Sequence, residues 1–542
     1  MRDRWMRVAG RRRARETLRR RIRDAGCGRA VWQALLAAVA LYGAAGCGAR
    51  EAGGQGLEPP EAPVDGGPLA EELDPLVEGL FALDLSPGLS VAVVRDGELV
   101  YLRGFGDADV EAGRRVDPAE TYFYIASSTK SFTGLATALL AHEGALDLDA
   151  PLSRYIPELE FESPELSADD ITIRDLLTMT DGMSQYGPFI FRTAYSGEFT
   201  DEKLIELLGR SEPSDGGRAF AYRNQPYNIL GIVLERITGD GWKGVVEHEV
   251  LDPLGVESIS GYMSRIDRDD LAQPYYLMPD GFERAPLTKG DANMHAAGGQ
   301  VATALGLSRW IEAFLGGGVV DGERVFPPGV IEDAISVQAR QDRDFSLFHR
   351  HGWGHGWDIG TYDGDTLVHR FGGYTGARSH ISFMPEHGIG VVALVNEPSL
   401  GDRLADGVAA TIYDHLLGKD DAEETWRART GEARSGSGEI RRNLAGDLET
   451  RAERQRPMPL PLSAYAGTYV NEAVGTMTWS ETDEGLEVRA GLVHGPAEVF
   501  DADQHAFRIQ ITGGGTVAQF VVEDGEVTGL RYQGFEFERT GG

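Results

Sequence analysis

The sharpest chemical feature of the chain is Ser127-Ser128-Thr129-Lys130. It follows the apolar run 122–126 and opens residues 128–142, where Phe132, Leu135, Ala136 and Leu139 recur at helical spacing. Residues three apart share a helix face, so the Ser127 hydroxyl and the Lys130 amine meet at a helix N-terminus. Such a place offers unpaired N–H groups and a favourable potential for a developing oxyanion. A serine hydroxyl is a poor nucleophile until a base takes its proton. Lysine becomes that base when burial and positive neighbours lower its pKa. Of the five lysines, Lys130, Lys203, Lys243, Lys289 and Lys419, only Lys130 has a serine three places earlier. An ordinary N-cap beside a solvated lysine has the same spacing.

Two further groups carry suitable chemistry. Tyr222-Arg223-Asn224 stands before an apolar helical pattern over 227–237. A phenol can relay a proton, and an amide can hold a carbonyl or an ammonium. A second Tyr-x-Asn, Tyr469-Val470-Asn471, lies in a β-rich tail and reads as a packed tyrosine in a strand. Arg370-Phe371-Gly372-Gly373, with Gly376 close behind, precedes a late pair of β-rich runs. Glycines at a strand edge admit close backbone approach of a ligand, and Arg370 offers an anion a fork of donors. A glycine-rich turn is the plainer alternative.

These residues need elements to hold them. Runs 89–94 and 98–104, joined by Arg95-Asp96-Gly97, predict a hairpin. Residues 173–179 and 227–237 predict helices, and 380–384 with 389–395 predict a second strand pair. Strands at both ends and helices between predict an α+β domain over 68–418, with a sheet that joins early and late chain. Residues 419–458 are charged and read as a linker or exposed helix. Residues 459–542 hold six β-like runs (465–470, 476–480, 486–490, 506–512, 518–522 and 528–533), which predict a small all-β sandwich or barrel.

The chain has 542 residues, 42% of them apolar and 25% charged, with two cysteines. That excludes a mostly disordered chain, a multi-span membrane protein and a disulfide framework. Residues 1–30 carry twelve arginines against Asp3, Glu16 and Asp24, so the rest holds more than the whole formal charge of −33. A body that acidic does not grip nucleic acid. A basic head, the apolar run 30–45 and Ala44-Ala45-Gly46-Cys47 read as a secretory signal over 1–46. A run of this length is short for a membrane span. Small residues before Cys47 resemble a bacterial lipoprotein cleavage site, with Cys47 lipidated and 47–67 a flexible tether. The body is then extracytoplasmic, on a lipid anchor facing the periplasm or cell exterior. An uncleaved anchor is the alternative.

Together the three motifs resemble the serine β-lactamase and penicillin-binding-protein family, in its class C-like branch. Ser127 and Lys130 match its Ser-x-x-Lys, and Tyr222 and Asn224 its Tyr-x-Asn. Phe220–Asn224, Leu230–Glu235, Thr172–Leu177 and Ala297-Gly298-Gly299 are also similar to the family's text, over roughly residues 70–417. The third motif departs: the family has Lys-Thr-Gly or His-x-Gly, and here Arg370 holds that position, with His369 one place early. Met179-Thr180-Asp181-Gly182 departs from the His-Thr-Ser-Gly of relatives. The tail resembles the lipocalin-like domain that accompanies some members.

The resemblance implies a serine hydrolase. Ser127 would attack the carbonyl of an amide or ester: a β-lactam, a D-amino-acid peptide or a small ester. Lys130 and Tyr222 would move the proton. The N–H groups of Ser127 and Gly373 would form the oxyanion hole, with Gly372 beside it. Asn224 would orient substrate or Lys130, and Arg370 would hold a substrate anion, a role that His369 could take by a local shift. Arginine cannot serve as a neutral acid or base at that position. No metal or cofactor is implied, and no His-Glu-x-x-His spacing occurs. The rival reading is a non-catalytic envelope protein that senses cell-wall fragments or β-lactams. Oligomeric state stays open.

Overall fold

A computed structural model describes Leu57 and residues 59–286, 289–293, 295–454 and 456–540. Residues 1–46, read above as a secretory signal, Cys47 and half of the remaining tether lie outside the described residues. What is described of the tether is seated on the body. Leu57 packs against the core, and Gly67 comes so close to the Val100 carbonyl that a Cβ would fall 2.4 Å from it.

The frame is a nine-stranded antiparallel sheet. Its first helix is α1 (Ala70–Phe81), followed by β1 (Gly88–Arg95), β2 (Glu98–Asp109) and the short β3 (Arg114–Arg115). The middle of the chain supplies α2 (Thr129–His142), α3 (Ile173–Thr178), α4 (Gln225–Thr238) and α5 (Ala304–Leu315). The chain then returns through β4 (Ala339–Phe345), β5 (Phe348–Trp353), β6 (Asp358–Tyr362), β7 (Asp365–Tyr374), β8 (Ala377–Met384) and β9 (Ile389–Val395). The order is β4-β5-β6-β7-β8-β9-β1-β2-β3, and β9 pairs β1 from Leu89↔Val395 to Arg95↔Ile389. This is the expected α+β domain, its sheet closed by early and late chain.

Alternation along a strand sends side chains to opposite faces. Val392 and Leu394 join Ala92, Val94, Phe132, Leu135 and Trp310 on one face, under α2 and α5. Val391, Ala393 and Val395 join Val91, Leu73, Val77, Leu404 and Val408 on the other, under α1 and α6 (Gly401–Leu416). Phe132 of α2 stacks on Trp310 of α5 with ring centroids 4.1 Å apart.

The charged stretch 419–458, read as a linker or an exposed helix, is largely one helix, α7 (Ala422–Glu453), with only Ala433 and Ser437 buried, and a few contacts dock it on the body. Trp426 donates to the Leu76 carbonyl, Arg429 pairs with Asp414, and Arg441 donates to the Met278 and Asp84 carbonyls. Amphipathic stems and a few aromatic contacts anchor a helix that is polar in composition. The tail is a closed barrel of eight strands, not six: β10 (Gly467–Asn471), β11 (Gly475–Thr482), β12 (Gly485–Ala490), β13 (Val493–Asp501), β14 (Ala506–Ile509), β15 (Thr516–Glu523), β16 (Glu526–Tyr532) and β17 (Phe535–Thr540). The unforeseen strands are β13, interrupted by Gly495-Pro496, and the charged terminal β17. Tyr465, Tyr469, Trp479, Phe507 and Phe520 pack against one another in its core, as expected of a barrel too narrow to leave a lumen. No helix of the described residues is long and apolar enough to cross a membrane.

Candidate active site

Ser127 sits in a single 3-10 turn, Ala126–Ser128, that leads into α2. The first bond of that turn runs from the Ser128 N–H to the Ile125 carbonyl, so the Ser127 N–H stands ahead of any intrahelical partner. Ala126 takes φ +45°, a left-handed conformation that costs a non-glycine residue of order 1–3 kcal/mol. Two contacts hold the turn there. The Ser128 hydroxyl meets Ser379 Oγ at 2.9 Å, and Ser379 Oγ donates to the Ile125 carbonyl at 2.9 Å. Gly372, opposite Ser379 in the β7–β8 pair, lets the strand pass over the same turn: a Cβ there would lie 1.8 Å from the Ile125 carbonyl oxygen.

One turn on, Lys130 is fully buried. Its Nζ donates to Ser127 Oγ at 3.2 Å, to Asn224 Oδ1 at 2.7 Å and to the Ala297 carbonyl at 2.8 Å. The last acceptor is aimed by α4: Asn228 Oδ1 accepts from the Ala297 N–H at 2.9 Å, and Asn228 Nδ2 donates to Thr193 Oγ1 at 3.0 Å. Burial, reinforced by the charge of Arg370, brings the Lys130 amine down to about 8.

Tyr222 leans over this pair. Lys130 Nζ is 5.1 Å from its ring centroid, and the hydroxyl accepts a hydrogen bond from Arg370. Burial pushes the phenol up, but the charges of Arg370 and Lys130 outweigh it and bring the group down to about 8. The loop holding Tyr222 is pinned by Asp181, whose Oδ2 accepts from Arg223 at 3.1 Å in a buried ion pair, and by Gln185, whose Oε1 accepts from the Asn224 N–H at 3.0 Å. Asp181 fills the place where the sequence departs from His-Thr-Ser-Gly.

The structure thus brings Ser127, Lys130, Tyr222, Asn224 and Arg370 into one cluster, with three corrections of role. Arg370 does not present a free fork to a substrate anion. Its side chain is 3% exposed. Nε donates to the Ser127 carbonyl at 3.0 Å, Nη1 to Asp358 Oδ2 at 2.7 Å, and Nη2 to the Tyr222 hydroxyl. His369 cannot replace it. Strand alternation turns its ring away, against Phe348 and Phe371, where burial pushes it well below its usual pKa. Of the two glycines only Gly373 is exposed; Gly372 works by packing.

Sequence reasoning missed Asp358, Gln341, Gln185 and Asn228. Asp358 is fully buried, and besides Arg370 it accepts from Gln341 Nε2 at 3.0 Å and pairs with Arg350 at 3.4 Å. None of the four stands in a motif, and their partners come from up to about 70 residues away in sequence. Only the Asp181 departure was visible beforehand. Among the described residues no group of three or more His, Cys, Asp or Glu is placed to hold a metal.

Residues 75–413 match the Beta-lactamase family. Unguisins hydrolase ungD' of Aspergillus campestris is 25% identical over 432 residues, 77% of this chain and 79% of its own. Esterase EstB of Burkholderia gladioli is 32% identical over 252 residues, 43% of this chain and 63% of the esterase. Among solved structures, the octameric penicillin-binding protein homologue from Pyrococcus abyssi superposes with TM-score 0.55 at 22% identity, over 86% of this chain and 99% of that one. D-amino acid amidase from Ochrobactrum anthropi gives 0.53 at 21% identity, over 66% and 99%.

Proposed function

This chain belongs to the Beta-lactamase family of hydrolases, and on that premise we propose that it cleaves a carboxylic ester or amide through an acyl-enzyme on Ser127. The observation that carries the reading is the 3.2 Å contact from Lys130 Nζ to Ser127 Oγ, beside the Tyr222 ring, whose centroid stands 5.1 Å from the same amine. With the Lys130 amine and the Tyr222 phenol both near 8, a proton moves between them at small cost, and either form of the pair accepts the serine proton. The Ser127 oxygen adds to the carbonyl carbon. The oxyanion is taken by the Ser127 N–H and the exposed Gly373 edge. Tyr222 returns the proton to the leaving oxygen or nitrogen, and water, activated by the same pair, releases the acid.

The named relatives include an unguisins hydrolase, an esterase and a D-amino acid amidase. Esters and amides are therefore the first substrates to try. The reading also places the protein outside the cytoplasm on a lipid at Cys47, a proposal that globomycin sensitivity and acyl-chain labelling test.

The decisive experiment is labelling with a fluorescent fluorophosphonate and a fluorescent penicillin, alongside hydrolysis of p-nitrophenyl butyrate and a D-amino-acid p-nitroanilide, for wild type and Ser127→Ala. Ser127-dependent labelling and turnover are expected. A folded wild type that neither labels nor turns over supports the rival binding protein.

A further inference from the structure

Arg370 stands at the third-motif position, where the sequence departs from the family pattern, and its charge is tightly held. Arg370 reaches three targets at once: the carbonyl of the nucleophile's own residue, the Tyr222 hydroxyl and Asp358. Its guanidinium also lies against two ring faces, 4.9 Å from the Tyr222 centroid and 5.1 Å from Trp353. Asp358 is held in turn by Gln341 and Arg350. A guanidinium with each nitrogen engaged and almost no exposed surface cannot turn to a ligand without breaking a buried ion pair. The other arginine at this end of the β7–β8 pair, Arg378, stacks towards Phe345 and Phe371, the side to which His369 also turns. Lys130 is spent on Ser127, Asn224 and Ala297.

We propose that Arg370 is a positioning residue that fixes the Tyr222 hydroxyl over Ser127, and that the site consequently takes acyl substrates whose leaving group carries no carboxylate. This rests on the acyl-enzyme reading and adds to it the class of leaving group. A leaving-group carboxylate entering beside Gly373 on the Ser127 face would give up part of its water and meet no free cation there; Arg378 Nη1, 3.1 Å from where a Gly373 Cβ would stand, lies on the opposite face of the strand. A neutral ester or amide pays no such cost.

The groups that face the Tyr222 phenol are few. Ser127 and Lys130 approach from the start of α2, and Arg370 from β7. Behind Arg370 lie Asp358 of β6 and Arg350 of β5. Tyr227 of α4, whose hydroxyl donates to the Leu177 carbonyl, and the Trp353 ring complete the surroundings. Arg370 is the cation hydrogen-bonded to the phenol oxygen, so its charge, with that of Lys130, sets where the acidic limb of the pH profile falls.

The test uses two N-benzoylglycyl thioesters, of thioglycolic acid and of methyl thioglycolate, which differ by one carboxylate on the leaving group. Wild type, Arg370→Lys, Arg370→Met and Ser127→Ala are compared by thiol release, corrected for the hydroxide rates. For wild type, kcat/KM for the methyl thioglycolate ester should exceed that for the acid by at least about tenfold. Arg370→Met should lower kcat by about 10–100-fold for both, leave the ratio of the two KM values unchanged and move the acidic limb up by about one pH unit. Arg370→Lys, which keeps the charge, should keep the limb close to wild type. A wild-type preference for the acid, or a KM that rises in either variant for the acid alone, overturns the proposal. If Arg370→Met fails to fold, wild type and Arg370→Lys still decide. Absence of Ser127-dependent turnover of both thioesters sinks the acyl-enzyme reading itself; such turnover with preference for the acid sinks only this inference.

Discussion

Among the described residues, two clusters contain the residue types of nucleophilic catalysis, and the proposed function draws on only one of them. Ser127, Lys130 and Tyr222 meet where a strained turn enters α2. Under α6, on the opposite side of the sheet, Asp406 Oδ1 meets His380 Nδ1 at 2.9 Å, His380 Nε2 meets Ser382 Oγ at 2.7 Å, and Ser382 Oγ meets the Tyr413 hydroxyl at 2.8 Å. By connectivity the second set reads as an acid, a base and a serine in line. Yet Ser382, His380 and Tyr413 are wholly buried and Asp406 is 1% exposed, while Ser127 is partly open. Ser382 lies mid-strand in β8, with its backbone tied into the ladder to β7 and β9. Ser127 lies in a turn whose N–H precedes the first helical bond. The difference teaches that residue types do not make a site: an open hydroxyl, an unpaired backbone donor beside it and a base of depressed pKa do.

The largest test of that contrast is a pair of serine deletions. Ser127→Ala should lower ester kcat/KM on the order of 10³-fold or more, because the nucleophile and base act as a unit. Ser382→Ala should leave kcat/KM within about twofold. Steady-state hydrolysis of p-nitrophenyl butyrate by both variants gives the answer, and a large loss in Ser382→Ala would erase the distinction.

The pH profile sharpens it further. Lys130 and Tyr222 are both lowered to about 8, and the reaction needs a proton acceptor in that pair. Activity is therefore lost as pH falls below about 8, and kcat/KM should rise about tenfold from pH 6 to pH 7. Initial rates across pH 5.5–9.5 check this. A flat profile over pH 6–7 would mean that the base is not this pair.

Next comes the carbonyl that receives the lysine. Asn228→Ala leaves the buried Ala297 N–H without its acceptor and frees the carbonyl that Lys130 needs. The expected cost is ~1–3 kcal/mol in stability and roughly a tenfold fall in kcat with little change in KM. Chemical denaturation and kinetics on the same preparation separate the two effects. Unchanged kcat in a destabilised Asn228→Ala would show that the lysine finds its place without the Ala297 carbonyl.

How much of this was legible in the sequence follows from how far apart the partners lie. Ser127 and Lys130 are three residues apart where a turn enters a periodic helix, so spacing allowed their meeting, while the joint match of the three motifs set it apart from an ordinary N-cap beside a solvated lysine. The strand pair around 385–388 and the early hairpin were equally local, and both formed where alternation and turn residues placed them. Tyr222 entered through a motif match and not through periodicity, since nothing local says that residue 222 returns to residue 127. Arg370 was found but misassigned, because its role depends on Asp358, which comes from the neighbouring strand and carries no signature of its own. The barrel strand β13 was lost because Gly495 and Pro496 break its apolar pattern, although closure of the barrel supplies it with partners on both sides. What stayed hidden was set by long-range pairing, which propensity and period do not encode.

The smallest effect on activity, and the most exacting for the comparison, is the stability of Ser382→Ala. Ser382 Oγ joins His380 Nε2 to the Tyr413 hydroxyl, and His380 Nδ1 is already engaged with Asp406. Removing that one oxygen strands a ring nitrogen and a phenol in a region without solvent access, next to an Asp406 Oδ2 that already lacks a partner among the described residues. Unpartnered buried polar groups cost ~1–3 kcal/mol, offset slightly by the smaller polar group buried. The expected result is a folded, active enzyme with a lower denaturation midpoint and an unchanged m-value, read by urea titration under conditions where turnover is also measured. The paired variant Tyr413→Phe removes the other end of the chain. If the two losses fall short of additive in the double variant, the hydroxyls act as one network whose purpose is to tie α6 to β8. Full additivity would mean two independent contacts, and the resemblance of this cluster to a catalytic relay would then be one of composition only.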